Sequence, residues 1–360
     1  MKILKVELPV NSYEICIGAC VKNAGNFFKD RGIESKILII TDSNVGKLYG
    51  KTLSDCLTDA GYSAAIAEIP AGEEHKSLFT VENLYNVCLK NNLNRDSLIV
   101  ALGGGVVGDI SGFAAATFMR GIQYVQMPTT LLAQVDASVG GKTGVNLKES
   151  KNLIGSFHQP LLVYTDISVL KTLKKREFAS GLAEVIKCGL IGDPEFFDFL
   201  LNNLKKVIEL EPETVSHVVY ECCRFKKGII EKDEKEQGIR AVLNFGHTIG
   251  HAIEAVTEYR KYMHGEAVSL GIVCASRISN KLGLLDGKIV ESIENLLIDA
   301  GLPVRHSLNT DKVIERLIYD KKVKDGNVRF VLLNGGIGKT IMVGTVSSDL
   351  IKDILLEVKQ

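Results

Sequence analysis

The sequence has no surplus of either charge: 43 Lys and Arg residues balance 43 Asp and Glu residues over 360 positions. That balance excludes a general electrostatic grip on nucleic acid or on an anionic membrane. Any basic cluster must then be local and sized for a small anion. Long apolar runs are missing too. The longest, Ile99 to Gly108, stops at Asp109, well short of the roughly 20 residues that a bilayer span requires. The opening stretch "MKILKVELPVNSYEICIG" has no signal-peptide apolar core, so a cytoplasmic protein is expected. The eight cysteines form no C-x-x-C pair and no framework spacing. Cys222 and Cys223 are adjacent, which suits neither a disulfide staple nor a zinc ribbon and predicts reduced thiols.

What remains is a globular composition, with 46% hydrophobic and 24% charged residues. The length exceeds one ordinary core, so two domains are expected. The first half alternates between two periods. "KILIITD" (36–42), "YSAAIAEI" (62–69), "SLIVAL" (97–102), "IQYVQM" (122–127) and "LLVYTD" (161–166) read as short buried strands. Helical patterns separate most of them, such as the stretch that follows Ser77. Alternation of this kind implies a parallel sheet with helices on both faces. From Arg176 onward apolar residues recur at helical spacing, and Pro194 and Pro212 sit where first turns would begin. "VRFVLL" (328–333) and "TIMVGTV" (340–346) read as two late strands. The predicted organisation is an α/β domain over 1–175 and a mostly helical domain over 176–360. A ligand is expected in the cleft between them.

"LGGGVVGD" follows the strand at 97–102, and Gly103, Gly105 and Gly108 satisfy G-x-G-x-x-G. Glycines let a backbone approach a pyrophosphate, and the helix start supplies unpaired N–H groups. A tight strand-to-helix turn would look the same. No acidic residue lies about 20 positions on to hold a ribose, so Asp42, at the end of "IITD", is the candidate. "DASVGGKTGVN" (136–146) mimics the end of a P-loop, but Asp136 stands where Walker A needs glycine. An NTPase is excluded. Lys142 and Lys151 flank Asn146 in this glycine-rich, flexible stretch, which suits a phosphate or a polyol as well as a solvated basic loop.

His247 and His251 stand four apart in "NFGHTIGHAIE", with His264 following in "YMHGEAV". The glutamate of H-E-x-x-H is absent, so this is no zincin. A catalytic zinc takes three protein ligands and keeps a position open. The three histidines form one candidate set. Glu184, on the apolar helix of "GLAEVIKCG" with Lys187 one turn on, offers a carboxylate in place of one of them. Buried, satisfied core histidines are the competing reading.

"LNFGHTIGHAIE", "HGEAV", "GLAEVIKCG", "GGGVVGD", "PTTLLAQVDASVGGKTGVN" and "KNLIGSFHQP" together closely resemble the 3-dehydroquinate synthase family of sugar-phosphate cyclases. The resemblance runs from "TDSNV" to "DKK". It implies an N-terminal Rossmann-like domain, a C-terminal helical domain, a homodimer, NAD and a divalent metal, zinc or cobalt. The implied metal ligands are Glu184, His247 and His264, which makes His251 a substrate contact. The implied NAD contacts are Asp42, Asn44, Glu73, Lys76, Gly104, Gly105, Val106, Asp109, Thr129, Thr130, Lys142, Lys151 and Thr172. The implied substrate pocket uses Asp136, Lys142, Asn152, Lys187, Lys226, Arg240, Asn244, His251 and Lys322, with Lys321 the other choice in "DKK". Arg120 is implied to reach the neighbouring subunit's phosphate site.

The implied substrate, 3-deoxy-D-arabino-heptulosonate 7-phosphate, carries a carboxylate, hydroxyls and a phosphate. Lys226 and Arg240 suit the carboxylate, since a guanidinium fork matches it. Lys142, Asn152, Asn244 and His251 suit the phosphate. Sister cyclases that act on sedoheptulose 7-phosphate or glucose 6-phosphate lack the carboxylate, whereas an amino analogue of the heptulosonate keeps it. A metal-dependent polyol dehydrogenase would release NADH, and a non-catalytic binder would release no phosphate.

Overall fold

A computed structural model describes residues 1–147, 150–323, 329–344 and 346–360. They form two units, Met1–Leu173 with Val215–Lys235, and Lys174–Thr214 with Glu236–Gln360.

The first unit is built on a seven-stranded sheet. Its elements are β1 (Lys2–Val6), β2 (Tyr13–Ile17), α1 (Ala24–Asp30), β3 (Ile37–Asp42), α2 (Lys51–Asp59), β4 (Ala64–Ile69), α3 (Leu78–Lys90), β5 (Leu98–Gly103), α4 (Gly105–Thr117), β6 (Gln123–Pro128), the hairpin β7 (Lys142–Leu147) and β8 (Ser150–Phe157), and β9 (Leu162–Thr165). The sheet order is β1-β2-β9-β6-β5-β3-β4, parallel except where β1 meets β2. Alternate side chains of its central strands face opposite ways. Leu38, Ile40, Ile99 and Ala101 join Leu84, Ile110 and Phe113 in one core. Ile37, Ile39, Leu98 and Val100 join Phe28, Leu53 and Leu57 in the other. A strand buried on both faces must be apolar throughout, which is why "LIVALG" shows no alternation.

Two features differ from the sequence expectation. "GGKTGVN" is not a flexible loop: Lys142–Leu147 pairs antiparallel with Ser150–Phe157. Its glycines serve close approach, because a Cβ on Gly155 would lie 2.3 Å from the Thr143 carbonyl oxygen and one on Gly144 2.6 Å from that of Ile154. The division at 175 is also incomplete. The helix α7 (Pro212–Ile230) begins in the second unit, and from Val215 the chain belongs to the first. The Cys223 thiol donates to the Gln134 carbonyl at 3.3 Å and the Lys226 ammonium to that of Asp136 at 2.7 Å. Helical periodicity reports that a segment is helical, not which core receives it.

The second unit holds α5 (Lys175–Gly192), α6 (Pro194–Ile208), α8 (His247–Val256), α9 (His264–Lys281), α10 (Gly287–Asp299), α11 (Thr310–Val323), the hairpin β10 (Phe330–Leu333) with β11 (Thr340–Val343), and α12 (Ser348–Glu357). Pro194 is the first residue of α6, capped by Asp193, whose carboxylate accepts from the Glu195 N–H at 2.9 Å. The α9 face is buried almost end to end, from Gly265 through Ile278. Among the described residues no helix is long and apolar enough to cross a membrane.

Candidate active site

In the first unit the strand order reverses between β3 and β5: β4 lies beyond β3, and β6 beyond β5. Open α/β sheets bind ligands at the carboxyl ends of strands at such a switch point. Asp42 ends β3 and Gly103 ends β5, in adjacent register. Gly104, which has no side chain to cap with, is the N-cap of α4, so the opening N–H groups suit an anion. The Thr129 N–H donates to the Gly103 carbonyl at 2.9 Å, which sets the β6 loop beside the glycine turn. The buried Thr129 hydroxyl has no hydrogen-bond partner among the described residues. The Thr130 hydroxyl accepts from the Ala133 N–H at 3.1 Å. These features fit a bound pyrophosphate.

Asp42 is held by its own turn, its Oδ1 accepting from the N–H groups of Asn44 at 2.8 Å and Val45 at 3.0 Å. Thr172 is joined to the segment that follows through the Tyr49 hydroxyl at 2.8 Å. Glu73, Lys76, Asp109, Lys151 and Asn152 form one polar network. Buried Lys76 pairs with Asp109 and donates to Asn152 Oδ1 at 2.5 Å. Asn146 Nδ2 donates to Glu73 Oε1 at 2.8 Å, and Lys151 Nζ stands 3.8 Å from that oxygen. Burial raises the Asp109 carboxyl above the ordinary range, and the Lys76 ammonium opposes that shift. Asp136 and Lys226 are likewise brought together, at 2.5 Å between Oδ1 and Nζ. Gly105, Val106 and Lys142 lie on the neighbouring turns and hairpin. Arg120 is exposed in a left-handed turn, φ 70°. Among the described residues no recorded contact ties it to the others.

The second unit brings Glu184, His247 and His264 together. Glu184 is fully buried on α5. Its Oε1 lies 3.6 Å from His247 Nε2 and 3.7 Å from His264 Nε2, with no hydrogen-bond partner among the described residues. Its Oε2 pairs with Lys187 Nζ at 2.5 Å, one turn along the helix. Ligand atoms of a tetrahedral ion with bonds of about 2.0–2.1 Å sit roughly 3.3 Å apart. The three groups therefore fit one divalent cation. His247 Nδ1 faces the Phe245 carbonyl at 3.1 Å, which directs the Nε2 lone pair toward Glu184. Burial first, then the Lys187 ammonium and the neighbouring imidazoles of His264 and His251, push His247 well below the usual histidine range, against the pull of that carbonyl. That shift favours the neutral imidazole, the form that binds a metal.

Local sequence explains the placement. His247 and His264 each open their helix, where the positive dipole end disfavours imidazolium and favours a facing carboxylate. The start of α9 is clamped by Glu266, which accepts from the Met263 N–H at 2.8 Å and from Arg176 Nε at 2.6 Å. The glycines beside the histidines hold helices at main-chain contact. A Cβ on Gly265 would lie 1.8 Å from the Ser180 carbonyl oxygen, and one on Gly271 1.8 Å from that of Gly246.

His251 is exposed, its ring centroid 5.2 Å from that of His247 and 6.1 Å from that of His264. Arg240 is buried, and Asn244 Nδ2 donates to Glu236 Oε1 at 3.3 Å. Lys322 and Lys321 lie on α11, and the choice between them falls outside the described side chains. Two carboxylates beside the site, Glu236 and Glu254, are absent from the sequence reading. Glu254 had a signal, three positions after His251 on one helix face.

Residues 66–180 match the family model described as 3-dehydroquinate synthase N-terminal, and residues 181–323 match the 3-dehydroquinate synthase C-terminal model. The fold is that of solved cyclising synthases. The 2-epi-5-epi-valiolone synthase of Streptomyces hygroscopicus subsp. jinggangensis, solved with NAD+ and Zn2+ bound, superposes with a TM-score of 0.90 at 29% identity, over 98% of each chain. A 2-deoxy-scyllo-inosose synthase complexed with carbaglucose-6-phosphate, NAD+ and Co2+ also gives 0.90, at 28% identity over 99% of this chain and 100% of that one. The 3-dehydroquinate synthase of Acetivibrio thermocellus is 45% identical over 98% of both chains. The chain belongs to the 3-dehydroquinate synthase family.

Proposed function

We propose that the protein converts 3-deoxy-D-arabino-heptulosonate 7-phosphate to 3-dehydroquinate and phosphate. The route is transient oxidation, β-elimination of phosphate, reduction and internal aldol closure. The observation that carries the reading is Glu184 Oε1 facing both His247 Nε2 and His264 Nε2. When bound, a zinc or cobalt ion supplies Lewis acidity at a substrate hydroxyl, and NAD accepts and returns one hydride.

Glu184, His247 and His264 hold the metal. The neutral state of His247 keeps its lone pair available, and the Lys187 ammonium balances the buried Glu184 charge. The α4 start, Gly104, Gly105 and Val106, receives the dinucleotide phosphates. Thr129, Thr130, Asp42 and Asn44 stand at or just past strand ends, Thr172 is tied to Tyr49, and Glu73, Lys76, Asp109 and Lys151 complete the set. Arg240 presents a guanidinium fork to the substrate carboxylate. Asp136 fixes the Lys226 ammonium through two contacts, which orients a cation that would otherwise be mobile. Lys142, Asn152, Asn244 and His251 serve the substrate phosphate. The main work of these groups is to hold one substrate conformation and exclude water. The protein acts in the cytoplasm as a homodimer, with Arg120 serving the partner subunit's phosphate site.

Purified protein given the heptulosonate phosphate, NAD and zinc is expected to release phosphate with no build-up of NADH. Complete chelation is expected to abolish release. Undiminished turnover without metal would sink the reading, and stoichiometric NADH release would turn it into a polyol dehydrogenase.

A further inference from the structure

The site reading leaves one buried charge unexplained. Glu254 lies on α8 and is only 3% exposed. A carboxylate removed from water is costly unless a partner meets it. Its Oε2 lies 3.4 Å from His264 Nδ1, while the other nitrogen of the same ring, Nε2, faces Glu184 at 3.7 Å. The ring therefore sits between two carboxylates, one on each nitrogen.

We propose that Glu254 is a positioning residue for the metal site: it accepts the Nδ1–H of His264 and so aims Nε2 at the ion. This rests on the Glu184–His247–His264 metal reading. The two ligand histidines are then oriented through the same atom by different acceptors. His247 uses the Phe245 carbonyl, a neutral group fixed by the main chain. His264 uses a full negative charge, which makes its Nε2 the stronger donor. The carboxylate also explains how His264 keeps its aim although its side chain is 30% exposed. Packing alone would leave a ring that open free to turn about its Cβ–Cγ bond.

His251, Glu254 and His264 also present ligand atoms within 4.8 Å of one another, so a second cation is the competing assignment. It would need both nitrogens of His264 to bind metal, and two cations to share one ring. A hydrogen bond needs neither.

The test compares wild-type protein, Glu254→Gln and Glu254→Ala, full length, by zinc titration against a chromophoric chelator. Metal content per chain and NAD affinity are measured alongside. Glu254→Ala is expected to weaken zinc binding about 10–100-fold. Glu254→Gln should weaken it less, because an amide oxygen still accepts the Nδ1–H. The visible spectrum of the cobalt-loaded protein should change in both, with NAD affinity unchanged. Equal zinc affinity and equal cobalt spectra in wild type and Glu254→Gln would overturn the proposal, as would two tightly bound ions per wild-type chain. Glu184→Ala is the separate control. Zinc bound as tightly by that variant as by wild type would overturn the metal reading itself.

Discussion

At the scale of the residue, the division of labour between His247 and His251 is the sharpest consequence of the geometry. Their spacing of four invites a two-histidine clamp, yet His247 is buried against Glu184 and His251 is exposed. His247→Ala is expected to lose metal affinity by more than the ~10–100-fold typical of an outer-shell change. His251→Ala is expected to keep its zinc and raise the KM for substrate. Metal content and steady-state kinetics on the two variants check the split, and zinc loss in His251→Ala would contradict it. The candidate metal trio was only partly legible: the residues alone left three histidines or a set with Glu184 open, and the family resemblance singled out Glu184, His247 and His264. Their partners were less so. Glu254 reads as one more polar position on a helix until the fold brings α9 alongside and sets His264 Nδ1 at 3.4 Å.

At the scale of the element, α9 meets α5 and the start of α8 at main-chain distance. Gly265 against Ser180 joins α9 to α5, and the Ser180 hydroxyl accepts from the Gly265 N–H at 3.0 Å. Gly265→Ala is expected to cost about 1–3 kcal/mol through overpacking, read as a lower melting temperature. It should also weaken zinc binding, because separating α5 from α9 moves Glu184 from His264. A variant with unchanged melting and zinc affinity would show that the contact is slack. Strands and helices were mostly legible, since β3 and β5 are largely apolar runs of strand length. The hairpin of β7 and β8 was not. Its facing glycines, Gly144 and Gly155, look like flexibility in one dimension and become close packing only when the strands pair.

At the scale of the molecule, the chain crosses between its two units three times, near residues 174, 215 and 236. The sequence discloses the first crossing, where strand periodicity gives way to helical periodicity. It hides the second, because α7 keeps one periodicity on both sides of residue 215. The excursion carries Lys226 to Asp136, so a proposed substrate contact that reads as part of the helical half belongs to the sheet unit. The proposed homodimer has its own test. If Arg120 serves the partner's site, Arg120→Ala and His247→Ala chains are each inactive alone. Mixed and reassembled, they should regain activity, because one site of the heterodimer has both residues intact. No recovery in a verified heterodimer would place Arg120 outside the neighbour's chemistry.

The contact of Gly265 with Ser180 also bears on how such a sequence can drift. The Glu184 position has chemical synonyms, since another carboxylate or an imidazole can still offer a lone pair to a cation. Position 265 has none, because every other residue brings a Cβ to the place 1.8 Å from a carbonyl oxygen. Tolerance is thus inverted around the site: a residue with no side chain and no chemistry is more tightly prescribed than the ligands it keeps in place.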